Sequence, residues 1–148
     1  MCQIVNVAGY FLTQYSLTNW YQKLGKPTYT PPDIAFPIVW NILYLMMGVA
    51  FFLVWQWGRQ NRRSLVWPTT LFILQLVFNF LWVLLFFGLR LPKEAMFELL
   101  VLFGLVGLTM HSFSHINKVA AYLMLPYFLW VGFAFVLNYE IWNINFNL

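Results

Sequence analysis

Apolar residues are grouped along this chain into long, nearly uncharged runs. Four runs cover residues 36–57, 65–87, 95–113 and 119–142. Each approaches or exceeds the roughly 20 residues that a helix needs to cross about 30 Å of hydrocarbon. The connectors 58–64, 88–94 and 114–118 are short and carry most of the charge, so neighbouring helices should run antiparallel. The pattern predicts four membrane-spanning helices.

The first 18 residues predict a further, shorter span. Residues 4–15 are apolar apart from Asn6 and Gln14, and a dozen helical residues cover only about 18 Å. A full crossing therefore requires nearly all of residues 1–18. The basic residues and small-residue cleavage site of a signal peptide are both missing. We therefore predict an all-α membrane protein, a single domain of residues 1–148 with five transmembrane helices at about 1–18, 36–57, 65–87, 95–113 and 119–142.

The segment between the first and second spans combines prolines with aromatic residues. Pro27, Pro31 and Pro32 lack an amide hydrogen and push the preceding residues away from helical geometry. Trp20 and Tyr21, at the start of the segment, need a surface against which to bury. A structured loop that covers one end of the bundle is the prediction.

Composition supports a membrane location. Of the 148 residues, 62% are hydrophobic and 8% charged, against about a quarter charged in soluble domains. A single cysteine, Cys2, excludes an internal disulfide framework. The eight basic residues are scattered over connectors, so the net charge of +4 indicates contact with anionic membrane lipid and not with nucleic acid. Lysines and arginines divide four to four between the two sides, which leaves the orientation open.

Amides and large aromatic residues recur at helical spacing inside the spans. They are Trp40, Tyr44 and Met47 on the second span, Gln75, Asn79, Trp82 and Phe86 on the third, and Trp130, Ala134 and Asn138 on the last. Amides are costly against lipid, so these stripes should face the interior. They describe a pocket for a flat, largely apolar ligand. The alternative is structural, because amides also join membrane helices at about 0.6 to 2 kcal/mol per hydrogen bond and tryptophans form interfacial belts.

Four stretches of sequence resemble one known family. They are WYQKLGKPTYTPPDIAFPIVW at residues 20–40, LYLMMG at 43–48, QLVFNFLWVLLFF at 75–87 and LPYFLWVGFAFVLNY at 125–139. In order and spacing they are similar to the TspO/MBR family, also called translocator proteins, tryptophan-rich sensory proteins or peripheral-type benzodiazepine receptors. The resemblance implies a five-helix protein of a bacterial inner or mitochondrial outer membrane. It also implies binding of porphyrins, sterols and benzodiazepine-type drugs, and a homodimer.

The resemblance also assigns positions to the ligand cavity. Trp20, Tyr21, Trp40, Tyr44, Trp130 and Ala134 match positions that line or cover the cavity in relatives, Phe86 stands where relatives place an aromatic residue, and Phe113 stands where they usually have tryptophan. Together with the polar stripes, the predicted ligand-binding residues are Trp20, Tyr21, Trp40, Tyr44, Gln75, Asn79, Trp82, Phe86, Phe113, Trp130, Ala134 and Asn138. The expected ligand is a porphyrin or related tetrapyrrole, including haem.

A sterol is the weaker expectation. Leu137 and Tyr139 supply the first two elements of a cholesterol motif, but residues 140–145 contain no base to complete it. Gly104 and Gly107 lack the spacing of the GxxxG helix-contact motif, so the sequence itself does not support the homodimer.

Conventional catalysis is not predicted. The sequence has no Ser-His-Asp arrangement, glycine-rich phosphate loop or metal cluster, and no cofactor is expected. The resemblance implies only light-dependent porphyrin breakdown, with Trp40 and Trp130 oxidised. His111 and His115, four residues apart, are interpreted as solvated or capping histidines and not as metal ligands. The alternative function is a small multidrug or sterol transporter, for which Glu98 is the one candidate proton-coupling carboxylate.

Overall fold

The computed structural model describes residues 7, 9, 11, 13, 16 and 19–146. Within these ranges the fold is helical and contains no strand. The helices are α1 (Ala35–Gln60), α2 (Val66–Val83), α3 (Pro92–Ser114) and α4 (Lys118–Phe146), with a 3-10 turn at Tyr21–Lys23 and a π-helical turn at Leu84–Gly88 that prolongs α2.

All four helices, with the π-helical turn counted as part of α2, are long and apolar enough to cross a membrane. The second to fifth predicted spans are therefore confirmed as helices of membrane length. The first predicted span, residues 1–18, lies outside the described residues apart from five isolated positions.

Local chemistry sets the helix ends close to where the sequence changes from apolar to polar. Pro92 occupies the first position of α3, where its missing amide hydrogen costs nothing. The Asn117 side chain accepts a hydrogen bond of 3.1 Å from the Ala120 amide and so caps the start of α4. Beyond the end of α1, Arg62 adopts a φ of 51° and the next amide returns to the Gly58 carbonyl at 2.9 Å. These caps confine the connectors to a few residues.

Helix α4 lies between two neighbours. It packs against both α3 and α1, while α2 packs against α3. Stacked rings join the helices, with centroids 4.5 Å apart for Phe51 and Phe72 and 4.1 Å apart for Phe103 and Phe128. Large apolar side chains also cover the outer surface. An apolar outside is what a bilayer requires.

The proline-rich segment, residues 20–34, lies against the C-terminal end of α4. The Asn145 side chain accepts a hydrogen bond from the Gly25 amide and donates one to the Gly25 carbonyl, both at 2.8 Å. A Cβ on Gly25 would lie 2.7 Å from the Ile144 side chain, so any larger residue would force that side chain to shift. The Lys26 Nζ atom forms an ion pair with the Asp33 carboxylate, 3.5 Å from its Oδ1 atom. Pairing of its backbone with α4 holds the segment over one end of the bundle.

Candidate ligand cavity

A small cavity lies beneath the proline-rich segment, between the π-helical turn and α4. Its walls are mostly aromatic: Tyr21, Phe36, Trp82, Phe86, Phe87, Trp130, Phe133, Ala134, Leu137, Asn138 and Ile141. Its volume of about 20 Å³ is enough for about one water molecule. Sites for drug-sized ligands typically measure about 300 to 1,000 Å³. A larger ligand must therefore displace side chains or the covering segment.

The π-helical turn brings two consecutive phenylalanines to this cavity. The Leu89 amide donates to the Leu84 carbonyl at 2.8 Å, a spacing of five residues, and the Leu91 amide donates to the Leu85 carbonyl at 2.9 Å. This wider turn lets Phe86 and Phe87 both face the interior, with ring centroids 4.8 Å apart. Such turns often occur at functional sites.

Rings from different elements meet edge to face around the cavity. The Tyr21 ring lies 6.3 Å from Phe36 and 6.2 Å from Phe86, and the Phe36 ring lies 6.0 Å from Trp130. The Trp20 ring packs edge to face on Phe86, with ring centroids 5.7 Å apart. Each contact of this geometry is worth about 0.5 to 1.5 kcal/mol beyond burial of area. The cavity is closed by aromatic contacts that a flat ring system could replace.

Two hydrogen-bond donors in the cavity wall have no partner in the part of the chain that the structure describes. Neither the Tyr21 hydroxyl nor the Trp130 indole nitrogen has a hydrogen-bond partner among the described residues, although both atoms are buried. Burial, and then the nearby Asp33 carboxylate, raise the pKa of Tyr21, so its hydroxyl keeps its proton and can donate. An unsatisfied buried polar group costs about 1 to 3 kcal/mol. The cavity therefore offers two donors to an acceptor.

The other polar groups of the cavity wall are already paired. The Trp82 indole donates to the Asn138 side-chain oxygen at 3.4 Å, and the Asn138 amide donates to the Pro92 carbonyl at 2.6 Å. These bonds connect α2, α3 and α4. Asn138 faces the cavity, yet its amide serves mainly to join helices.

A second polar cluster lies outside the cavity lining. The Tyr44 hydroxyl donates to the Asn79 side-chain oxygen, and the Asn79 amide donates to the Tyr127 hydroxyl at 3.2 Å. Trp40 packs on this cluster, 5.6 Å from Tyr44 and 5.9 Å from Trp82 between ring centroids. These residues face the interior and join α1, α2 and α4.

Gln75 and Phe113 also lie apart from the cavity. The Gln75 amide donates to the Met47 sulfur at 3.8 Å, while its oxygen has no partner in the described part of the chain. The Phe113 ring lies 5.9 Å from Phe72 and 6.5 Å from Phe51. Both side chains fill the core between α1, α2 and α3.

Half of the predicted site residues therefore line the cavity: Tyr21, Trp82, Phe86, Trp130, Ala134 and Asn138. The sequence reasoning missed five wall residues, namely Phe36, Phe87, Phe133, Leu137 and Ile141. Continuing the stripe of Trp130 in steps of three or four residues would have found the three on α4, and Phe36 lies four residues before Trp40. Phe87 carries no such signal, because the π-helical turn changes the spacing.

A second, larger depression lies on the outer surface between α1 and α4. It measures about 520 Å³, and its walls are Val39, Ile42, Leu43, Met46, Pro126, Leu129, Trp130 and Phe133. Trp130 and Phe133 line both this groove and the inner cavity. Among the described residues, only these two side chains are common to the groove and the inner cavity.

One carboxyl is buried away from both spaces. Glu98 is 7% exposed, and neither of its oxygens has a hydrogen-bond partner among the described residues. It lies six residues into α3, about 9 Å along the helix axis from Pro92. The described part of the chain contains no group of three or more potential metal ligands.

Comparison with known proteins agrees with this architecture. The model of the TspO/MBR family matches residues 1–143. The tryptophan-rich protein TspO of Chlorobaculum tepidum is 37% identical over 98% of this chain and 91% of its own length. The translocator protein of Ovis aries is 34% identical over 93% of this chain and 83% of its own, and a tryptophan-rich sensory protein of Cereibacter sphaeroides is 33% identical over 86% and 78%. With its helices of membrane length, the chain is an integral, multi-pass membrane protein that belongs to the TspO/MBR family.

Proposed function

We propose that the inner cavity binds a porphyrin or related tetrapyrrole, and that the protein transports, senses or, in light, degrades it. The observation that carries the proposal is that two buried donors in a largely aromatic wall, Tyr21 and Trp130, have no hydrogen-bond partner among the described residues. A macrocycle offers flat faces to the rings, and its carboxylate side chains are acceptors for the two donors.

Binding requires the cavity to open, and the proline-rich segment is the element that we expect to move. Its ion pair, Lys26 with Asp33, is partly exposed and so contributes about 0 to 1 kcal/mol. Its prolines reduce the number of unfolded conformers, which lowers the entropy cost of closing again. The segment would act as a displaceable lid over the ligand.

Light-dependent breakdown of the porphyrin would oxidise an indole of the cavity wall, which both Trp82 and Trp130 line. An excited tetrapyrrole passes its energy to oxygen, and the reactive oxygen oxidises the nearest indole. Trp130 lines the cavity, whereas Trp40 lies behind Trp82. Mass spectrometry after illumination should find the oxidised indole at Trp82 or Trp130 before Trp40.

Benzodiazepine-type drugs fit the same proposal, because they combine flat rings with carbonyl acceptors. A sterol fits less well, since it lacks aromatic rings and offers a single hydroxyl. Leu137 lines the cavity while Tyr139 is exposed, so these two residues do not form one sterol-binding face. A homodimer remains a prediction of the family resemblance.

Glu98 favours a second candidate, a small multidrug transporter coupled to protons. A carboxyl that is buried inside a membrane helix and has no hydrogen-bond partner among the described residues is a typical proton carrier. This function requires Glu98→Gln to abolish pH-driven export of dyes from vesicles. Unchanged tetrapyrrole binding in Glu98→Gln would leave the first proposal intact.

Titration of the purified protein with protoporphyrin, followed by tryptophan fluorescence in the dark and in light, tests the main proposal. Trp130→Phe should weaken binding or slow the light reaction and leave the fold intact. Trp67→Phe is the matched control, because Trp67 is 63% exposed at the start of α2. Equal affinities and equal photoproducts for the two variants would remove Trp130 from the site.

A further inference from the structure

Two histidines form a separate cluster at the C-terminal end of α3. His111 and His115 are exposed, and their rings are perpendicular with centroids 4.6 Å apart. Their Nε2 atoms approach to 3.2 Å. Phe113 between them is buried in the core, so the pair faces away from the bundle.

The distance between the two nitrogens matches a metal chelate. Zinc binds imidazole nitrogen at about 2.0 to 2.1 Å, so two ligands of one tetrahedral ion lie about 3.3 Å apart. The two axial nitrogens of a haem iron lie on opposite faces of the ring, about 4 Å apart. The spacing of His111 and His115 therefore fits two adjacent ligands of one ion and not the two axial ligands of a haem.

The geometry points to a two-histidine site for a divalent transition metal, formed by His111 and His115 at the membrane boundary. Imidazole favours Zn²⁺, Cu²⁺ and Ni²⁺ over Mg²⁺ and Ca²⁺, which prefer oxygen. Water completes the coordination, because both side chains are exposed and no third histidine exists in the chain.

The surroundings of the pair limit its affinity. The ends of α1 and α3 and the starts of α2 and α4 share one end of the antiparallel bundle, and that end carries Arg59, Arg62, Arg63 and Lys118. No acidic residue lies in the connectors 58–64 and 114–118. The basic residues oppose a cation, so binding should be weaker than at a site with a carboxylate. In the absence of metal, one ring donates its N–H to the other.

Calorimetric titration of the full-length protein with Zn²⁺ and Ni²⁺ tests the site, with Mg²⁺ as the control ion. The titrations are run on the native chain and in a Cys2→Ser background, because a free thiol is itself a metal ligand. Replacing even a residue that only supports a metal ligand typically costs 10- to 100-fold in affinity, so His115→Ala should lower Ni²⁺ affinity by about tenfold or more.

A register variant provides the matched control. His115→Ala combined with Ile116→His keeps two histidines but places them five residues apart, off a common helical face. It should bind Ni²⁺ as weakly as His115→Ala. Because Ile116 packs against the core, the unfolding temperature of each variant without metal is compared with that of the parent to show that the fold is retained. Equal Ni²⁺ affinity in the parent, His115→Ala and the register variant would overturn the site.

Discussion

Two sets of polar side chains lie inside this bundle, and they differ in whether protein groups satisfy them. In the first set, Asn79 is bonded to Tyr44 on α1 and to Tyr127 on α4. In the second, the Tyr21 hydroxyl and the Trp130 indole have no partner in the described part of the chain. Buried groups that are bonded to other helices stabilise the fold, whereas unpartnered donors beside a cavity are available to a ligand. Polarity inside a membrane bundle therefore does not by itself mark a binding site.

The largest expected effect is a loss of stability when a side chain of the first, hydrogen-bonded set is removed. Asn79→Ala removes two interhelical hydrogen bonds and leaves a void at a fully buried position, which should cost about 2 to 4 kcal/mol. Chemical unfolding in detergent measures the loss. Asn61→Ala, at the exposed end of α1, is the control and should change little. If Asn79→Ala lowers porphyrin affinity while stability stays the same, the division between the two sets is wrong.

Overpacking the cavity should affect the ligand more than the fold. Ala134→Thr adds a methyl and a hydroxyl beside a void of about 20 Å³, and overpacking typically costs about 1 to 3 kcal/mol. Affinities for protoporphyrin and for a benzodiazepine-type drug should fall together in binding titrations. Val136→Thr, two residues on at an exposed position, serves as control. Parent-like affinity of Ala134→Thr for both ligands would place them elsewhere.

Removing one of the two donors that lack a described partner should weaken ligand binding without lowering stability. Tyr21→Phe deletes a hydroxyl that bonds to no described protein group, while a hydrogen bond to a charged acceptor contributes about 1.5 to 3 kcal/mol. Affinity should therefore fall about tenfold or more for protoporphyrin. It should not change for etioporphyrin, which has no carboxylates. Equal losses for both ligands would show that Tyr21 acts only through packing.

The smallest expected effect concerns motion of the proline-rich segment. Bound ligand should slow amide hydrogen exchange in residues 20–32 more than in the connector 58–64, because only the former covers the cavity. Equal protection of both segments would instead favour entry through the groove between α1 and α4, where Trp130 and Phe133 line both the groove and the inner cavity.

The spacing of residues in the sequence predicted some of the cavity wall and missed other parts of it. Spacing correctly placed Trp130, Ala134 and Asn138 on one inward face of α4, because a regular helix repeats its face every three to four residues. It could not decide whether Asn79 joins helices or binds a ligand, since both roles require an amide that faces the interior. Phe87 was missed because a π-helical turn abandons the regular spacing. The histidine pair was noticed, but only the 3.2 Å approach of its nitrogens suggests a chelate.

The sequence by itself determined the four long apolar helices, their short charged connectors and the inward direction of the amides. These follow from local composition, because hydrocarbon excludes charge and unsatisfied polar groups wherever they occur along the chain. Only the tertiary structure decided which inward groups are hydrogen-bonded to each other and that the inner cavity has a volume of only about 20 Å³. It also decided that the bonds between Gly25 and Asn145 hold the proline-rich segment above that cavity. Those features depend on distances between residues far apart in sequence, about 120 positions for the last pair, and no local pattern encodes them.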